Sequence, residues 1–136
     1  TCEGHTGLVH IHDGARPLVT DEAIRKVRAK AWATGAAILA GRSADTVKIA
    51  KGDSDSVEAS PDRGLVWTAE TPQVFRTATV LRAYRKVAML GRKVTDDSSA
   101  VEYVGQDVSL VENTTVNLKL TRPSDFVLAE AILKTR

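Results

Sequence analysis

The sequence has little cysteine, no long apolar run and little excess charge, and each shortage excludes a class of protein. Its single cysteine, Cys2, rules out an internal disulfide framework and fits a reducing compartment. No long uncharged segment suits a signal peptide or a membrane span, so we expect a cytoplasmic protein with no membrane partner. The net charge of +2 is too small to argue for a nucleic-acid partner.

The remaining composition is that of one modest domain. The 136 residues are 43% hydrophobic and 26% charged, which is typical of a globular chain. No repeat and no low-complexity segment divides them. We therefore treat residues 1–136 as a single domain.

A carboxylate follows the first predicted strand. The largely apolar residues 8–11 predict a strand that ends at residues 12–17 (HDGARP). Ligands collect beyond the carboxyl ends of strands in open α/β sheets, so Asp13, followed by the Gly14 turn and Arg16, predicts an anion and metal site. The alternative is that Asp13 only caps the turn and pairs with Arg16 on the surface.

The next segment has the pattern of a strand, a helix and a second strand. Thr20 is a plausible N-cap before two acidic residues, and Gly35 ends the helix. Residues 36–40 form a short apolar run suited to a strand covered on both faces. We expect a right-handed parallel unit of a doubly wound α/β sheet. The predicted buried stripe of the helix is Ala23, Ile24, Val27, Ala31 and Trp32.

A protruding hairpin, the arm, is predicted at about residues 45–63. Residues 46–49 and 56–59 alternate with period two around a turn at 51–54 and offer little apolar surface. Two strands are marginal alone in water, so the rest of the domain or a second subunit must cover them. A solvated edge of a meander is the alternative.

The second half predicts irregular structure at residues 67–73, because Pro72 restricts the residue before it. A helix follows at 76–90. A short helix, with several N-cap candidates at residues 95–99, runs through Val101 and Val104 to Gly105, and a closing helix starts at Pro123, with strands at 108–111 and 116–120. The predicted apolar face of the closing helix is Phe126, Leu128, Ala129, Ile132 and Leu133.

Six separate segments, in order, resemble one family. They are residues 12–17 (HDGARP), 45–48 (DTVK), 62–63 (DR) with Trp67, 71–73 (TPQ), 95–102 (TDDSSAVE) and 117–121 (NLKLT). Their order and spacing are similar to those of the 2-C-methyl-D-erythritol 4-phosphate cytidylyltransferases. The resemblance implies a nucleotidyltransferase-type, Rossmann-like α/β sheet with flanking helices, and a homodimer clasped by exchanged arms. It also implies transfer of CMP from CTP to methylerythritol phosphate with release of pyrophosphate, in the non-mevalonate pathway to isoprenoids.

The resemblance assigns roles to residues on the nucleotide side of the site. Asp13 is expected to hold Mg²⁺ near the triphosphate and to help orient the sugar alcohol. The backbone at Gly14 passes beside the ribose, and Lys119 neutralises charge at the α-phosphate. Nucleotidyl transfer needs such positioning and charge neutralisation.

Other residues are expected to hold the alcohol phosphate. Arg16 and Thr95 contact its hydroxyl side, and Thr71 lines the same pocket. Thr46 and Arg63, on the arm, grip the 4-phosphate in the neighbouring subunit. Taken singly, four of these residues have structural alternatives: a solvated strand lysine (Lys119), a helix N-cap (Thr95), a strand former (Thr46) and an exposed turn cation (Arg63).

The glycine-rich loop with its Arg and Lys that cradles CTP in this family has no counterpart in the sequence. Residues 4–7 (GHTG) are no substitute, because they precede a strand instead of linking a strand to a helix. Two alternatives stay open beside the methylerythritol phosphate cytidylyltransferase. One is a catalytically silent, dimerising half-domain, and the other is a cytidylyltransferase for a pentitol phosphate such as ribitol 5-phosphate.

Overall fold

The computed structural model describes residues 7–136, so Cys2 and residues 4–6 lie outside the described part. The strands are β1 (Leu8–Ile11), β2 (Ala36–Arg42), β3 (Ile49–Ala50), β4 (Val57–Ala59), β5 (Trp67–Arg76) and β6 (Ser109–Glu112). The helices are α1 (Asp21–Thr34), α2 (Thr77–Met89), α3 (Asp97–Tyr103) and α4 (Pro123–Leu133), with a single 3₁₀ turn at Arg63–Leu65. Four strands form the central sheet in the order β1-β5-β2-β6, and β3 and β4 form a separate hairpin.

Helix α1 begins and ends where the sequence predicts. The Thr20 hydroxyl accepts a hydrogen bond from the Ala23 amide at 3.2 Å, and Gly35 takes the left-handed conformation with a φ of 92°. Trp32 was expected on the buried stripe and is 57% exposed, because it lies one position off the i, i+4 row that faces the sheet. The buried members of that row are Ala23, Val27 and Ala31.

The first three elements run in the predicted directions, but β1 and β2 are not neighbours. Both pair antiparallel with β5, which lies between them. The prediction of irregular structure at residues 67–73 is therefore wrong. Pro72 is tolerated because the pairing shifts around it: Ile38 faces Gln73, whereas Ala40 faces Ala69. Residues 70–72 thus form a bulge, which re-aims their side chains and removes the need for a ladder donor at the proline.

Helices cover both faces of the sheet. Helices α2 and α3 pack on one face, and α1 packs on the other. Because side chains alternate along a strand, Ile38 and Phe75 enter the first core while Ala37 and Val74 enter the second. Residues 36–40 are all buried, as predicted. The result is a three-layer α/β fold, as expected for the fold class.

The arm is present, but its paired part is shorter than predicted. Its strands are β3 and β4, and residues 46–48 lie outside the ladder. The turn closes through the Lys51 amide, which donates to the Ser56 carbonyl at 3.0 Å. Ile49 and Val57 are 48% and 58% exposed, so the described chain leaves the arm's apolar side chains open to solvent.

The C-terminal part departs from prediction in two places. Strand β6 forms and runs parallel to β2, but residues 116–120 are not a strand. The Leu120 amide donates instead to the Ala15 carbonyl at 2.8 Å, so the segment is bonded to the turn after β1 and to no sheet edge.

Helix α4 starts at Pro123, as predicted, but its predicted apolar face is largely exposed. Of that face only Ala129 is buried, whereas Phe126, Leu128 and Leu133 are more than half exposed. The apolar residues of this helix are spread around its circumference, so its sequence did not specify which side would be covered. No helix among residues 7–136 is long and apolar enough to span a bilayer.

Candidate functional site

A cleft of about 280 Å³ opens beyond the carboxyl end of β1. It is formed by the turn after β1, the bulge of β5, the start of α3 and the segment before α4. Its lining residues are Asp13, Arg16, Ala69, Glu70, Thr71, Gln73, Thr95, Asp96, Asp97 and Lys119. The structure therefore brings Asp13, Arg16, Thr71, Thr95 and Lys119 together from four distant parts of the chain.

Asp13 is the centre of charge in this cleft. Its Oδ2 lies 2.9 Å from Lys119 Nζ and 3.6 Å from Arg16 Nε. The Lys119 ammonium donates a hydrogen bond that holds the pKa of the Asp13 carboxyl below its usual range, although desolvation opposes this shift. Asp13 is therefore ionised at neutral pH.

A chain of hydrogen bonds fixes the turn that carries Asp13. The Asp13 amide donates to Thr71 Oγ1 at 3.0 Å, and this hydroxyl lies 2.9 Å from His12 Nδ1. His12 Nε2 lies 3.1 Å from the Arg16 carbonyl, which can only accept. Nε2 therefore carries a proton, and the tautomer with this single proton accepts from the Thr71 hydroxyl at Nδ1. His12 thus has a structural role in the turn.

Arg16 is held with one face towards the cleft. Its side chain is 15% exposed, and Nη1 donates to the Asn117 carbonyl at 2.7 Å. Its buried Nε has no hydrogen-bond partner among the described residues. At Gly14 an added Cβ would meet no atom within 4 Å, so the backbone there borders open space.

The start of α3 forms another wall of the cleft. The N-cap is Asp96, not Thr95: the Ser99 amide donates to Asp96 Oδ1 at 2.9 Å. Burial acts to raise the pKa of Asp96, but hydrogen bonds from Ser99, Gln73 and Ser98 outweigh it and lower the pKa overall. Thr95 is left free of the capping role, with its hydroxyl 2.9 Å from Ser99 Oγ.

The arm residues Thr46 and Arg63 do not line this cleft. Thr46 is exposed, and Arg63 Nη1 donates to the Ala44 carbonyl at 3.3 Å, at the base of the arm. Within one chain, the structure does not bring these two residues to the other predicted site residues.

Hydrogen bonds at the cleft involve four polar residues to which the sequence assigned no role: Glu70, Gln73, Asn113 and Asn117. Glu70 Oε2 accepts from Asn113 Nδ2 at 2.8 Å and from Asn117 Nδ2 at 2.9 Å. Gln73 Nε2 donates to Asp96 Oδ2 at 2.8 Å. Gln73 and Asn117 lie in segments that carry the family resemblance, so the resemblance could have pointed to them. For Glu70 the sequence offered no such indication beyond its position next to Thr71.

Asp13 is a possible ligand for magnesium, provided that the other ligands come from substrate phosphates and water. Both ion pairs of Asp13 use Oδ2, so Oδ1 takes part in neither and is the oxygen that would hold a cation. No group of three or more His, Cys, Asp or Glu residues in the described part could enclose a metal. Mg²⁺ is commonly bound through one or two carboxylates together with substrate phosphates and water. Asp13 fits that kind of site.

A second, larger groove of about 610 Å³ lies on the other side of β1. Leu8, His10, Arg28, Ala29 and Trp32 line it. Burial, with a smaller effect of Arg28, lowers the pKa of His10.

The comparisons with known proteins agree on one family. The family model of 2-C-methyl-D-erythritol 4-phosphate cytidylyltransferase (IspD) matches residues 1–135. The enzyme of that name from Desulforamulus reducens is 44% identical over 133 residues, which cover 98% of this chain and 56% of the relative. The one from Syntrophotalea carbinolica is 39% identical over 135 residues, covering 98% of this chain and 57% of that relative.

Solved structures give the same result. The 4-diphosphocytidyl-2C-methyl-D-erythritol synthase of Anaerococcus prevotii superposes with a TM-score of 0.87 at 35% identity, covering 94% of this chain and 59% of that one. The Thermus thermophilus cytidylyltransferase superposes with a TM-score of 0.82 at 33% identity, covering 93% and 62%. This chain thus spans little more than half the length of the relatives it matches.

Proposed function

The chain belongs to the 2-C-methyl-D-erythritol 4-phosphate cytidylyltransferase family, and from this premise we propose that its cleft binds the alcohol phosphate and the reacting phosphates of CTP. The proposed reaction transfers CMP from CTP to 2-C-methyl-D-erythritol 4-phosphate. The observation that carries the proposal is the meeting of Asp13, Arg16 and Lys119 in one polar cleft.

The proposed chemistry is a substitution at phosphorus. An oxygen of the 4-phosphate forms a bond to the α-phosphorus of CTP, and the bond from that phosphorus to the β-phosphate oxygen breaks, releasing pyrophosphate. Negative charge accumulates around the α-phosphate, so catalysis consists mainly of positioning and charge neutralisation. Asp13 Oδ1 would hold Mg²⁺, which when bound neutralises triphosphate charge.

The chain's own residues divide this work. Lys119 lies 2.9 Å from Asp13 in the cleft, and its ammonium exchanges that ion pair for the α-phosphate oxygens when the nucleotide binds. The Arg16 guanidinium and the Thr95 hydroxyl hold the hydroxyl side of the alcohol. Thr71 fixes the backbone of Asp13 and lines the same pocket.

The arm supplies the remaining phosphate contacts across a homodimer. Thr46 and Arg63 lie on the arm and do not line their own cleft, and the arm's Ile49 and Val57 are exposed. A second subunit would bury these apolar side chains and receive Arg63, whose planar guanidinium binds phosphate with two parallel hydrogen bonds.

Because the chain spans 56% of the length of the Desulforamulus reducens relative, we assign CTP's base and the remaining ribose contacts, beyond the Gly14 backbone, to the part of the enzyme outside the match. The test fuses this chain to the unmatched part of the Desulforamulus reducens relative, giving the joined enzyme. Pyrophosphate release is measured with CTP, Mg²⁺ and either methylerythritol phosphate or ribitol 5-phosphate.

We expect turnover by the joined enzyme with methylerythritol phosphate and little with ribitol 5-phosphate. Faster turnover with ribitol 5-phosphate would establish the pentitol alternative. A folded joined enzyme with no turnover on either substrate would leave the silent half-domain as the correct description.

A further inference from the structure

Glu70 connects two asparagines that the proposed function leaves without a role. Its Oε2 accepts from Asn113 Nδ2 at 2.8 Å and from Asn117 Nδ2 at 2.9 Å. Asn113 follows β6, and Asn117 begins the segment that leads to Lys119. One carboxylate oxygen of Glu70 is therefore hydrogen-bonded to both ends of the loop formed by residues 113–117.

The segment carrying Lys119 depends on such anchors, because it belongs to no sheet. Among the described residues its bonds to the cleft are few. Asn117 Nδ2 donates to the Thr71 carbonyl at 2.9 Å as well as to Glu70, and the Leu120 amide donates to the Ala15 carbonyl at 2.8 Å. Asn117 is 5% exposed, so its side chain is fixed on the protein side of the segment.

The same anchor also fixes the second cation of the cleft. Arg16 Nη1 donates to the backbone carbonyl of Asn117 at 2.7 Å. A shift of Asn117 would therefore move the partner of Arg16 and the backbone of Lys119 together. Both cations meet at Asp13, so a shift of Asn117 would change how they are placed around that carboxylate.

Glu70 reaches both asparagines because of the bulge in β5. With Ile38 facing Gln73 and Ala40 facing Ala69, residues 70–72 stand opposite Leu39 alone. Residues in a bulge leave the regular alternation of a strand, and Glu70 is turned towards the end of β6 and the cleft.

We infer that Glu70 is a positioning residue of the proposed reaction, acting through Asn117 to hold Lys119 and Arg16 at the spacing that the reacting phosphates require. This inference rests on the proposed function for its catalytic part. The anchoring itself is a property of the chain and is measurable without turnover.

The decisive comparison is Glu70→Ala against Glu70→Gln. An oxygen of the glutamine amide can accept both asparagine hydrogen bonds, whereas alanine removes the acceptor. If Glu70 acted on a ligand or metal through its charge, glutamine would fail as alanine does. Glu112→Ala is the matched control, because it removes an exposed carboxylate paired with Arg42 at 3.2 Å next to the same loop.

The first measurement is amide hydrogen exchange by NMR on this chain. We expect Glu70→Ala to speed exchange at the Leu120 amide by roughly tenfold or more, since losing the anchor opens the segment locally. Exchange at the Gly35 amide, which is bonded to Ala31 on α1, should not change. Glu70→Gln and Glu112→Ala should match the wild type. Unchanged exchange at Leu120 in Glu70→Ala would overturn the inference.

The second measurement is steady-state kinetics of the joined enzyme. Glu70→Ala should lower kcat/KM roughly tenfold or more, as misplacement of charge-stabilising groups does, and Glu70→Gln should restore most of it. Equal losses in both variants would overturn positioning in favour of a direct charge role. If the wild-type joined enzyme shows no turnover, the proposed function fails, while the exchange data still decide whether Glu70 anchors the segment.

Discussion

At the scale of a single residue, Asp13 is the anionic group around which the charges of the cleft are arranged. It is the carboxylate that both cations approach, and its depressed pKa keeps it charged over the physiological range. Its side chain is 36% exposed and that of Lys119 is 48% exposed, so solvent screens their attraction. Exposed ion pairs contribute about 0–1 kcal/mol to stability. The ion pairs of Asp13 therefore contribute little to stability, and we interpret them as part of a ligand-binding site.

The variant Asp13→Asn should separate the contribution of Asp13 to catalysis from its contribution to stability. We expect kcat of the joined enzyme to fall roughly a hundredfold or more, as the loss of one charge-stabilising group does elsewhere. The free energy of unfolding should change by less than about 1 kcal/mol. Pyrophosphate release at saturating Mg²⁺ and urea unfolding provide the readouts, with Glu112→Gln as the exposed-carboxylate control. A rate equal to the wild type would remove Asp13 from the mechanism.

Asp96, in contrast to Asp13, contributes mainly to the stability of the fold. Its pKa is lowered in the folded state, so its contribution to stability is fully present above the unfolded value of about 3.9. That contribution is lost as the pH falls through the lower folded value. Asp96→Asn should therefore cost about 1–2 kcal/mol at pH 6, and the difference from the wild type should shrink towards pH 3. Urea unfolding at both pH values tests this, and a difference that does not vary with pH would contradict it.

At the scale of elements, helices were predictable because their causes are local. The cap at Thr20, the left-handed Gly35 and Pro123 at the start of α4 each act within one turn, and the structure confirms them. The missed strand β5 depended on partners on both sides and on a bulge that accommodates Pro72. A proline counted as a strand breaker locally is tolerated once the register shifts around it.

The same reasoning explains the over-predicted strand at residues 116–120 and the residues missed in the site. Alternating apolar residues fit a strand, but a strand also needs a ladder partner, and these residues bond to a turn. Asp13 and Arg16 were visible because they share one short motif. Glu70 was not, because its role depends on asparagines 43 and 47 positions away.

The arm gives a prediction at the scale of one element. A two-stranded hairpin is unstable without cover, and its exposed Ile49 and Val57 are the side chains that a partner would bury. The double change Ile49→Lys, Val57→Lys should convert the proposed homodimer to monomer, measured by light scattering after gel filtration. The matched control is Met89→Lys, Leu90→Lys, which alters exposed apolar residues at the end of α2. A variant of the arm that stays dimeric would place the interface elsewhere.

At the scale of the whole molecule, the arm and the cleft are joined by a single strand. The chain leaves the sheet after β2, forms the arm and returns as β5, whose bulge carries Glu70 and Thr71 into the cleft. Strand β5 is hydrogen-bonded to β1 along one edge and to β2 along the other. In the proposed homodimer, an arm bound by the partner would therefore be connected through the centre of the sheet to its own site.

A mixing experiment tests whether the arm completes the partner's site. In the joined enzyme, Arg63→Ala and Asp13→Asn should each be nearly inactive as homodimers, because both of their sites carry the same defect. A heterodimer of the two variants contains one site with both defects and one with neither, so mixing should restore activity if Arg63 serves the neighbouring cleft. With random subunit exchange half of the dimers are mixed, each with one intact site, so recovery should approach about a quarter of wild-type activity. Mass spectrometry confirms the exchange, and mixing either variant with itself is the control. If mixed dimers form and remain inactive, Arg63 does not complete the partner's cleft, and the arm has only a structural role in the dimer.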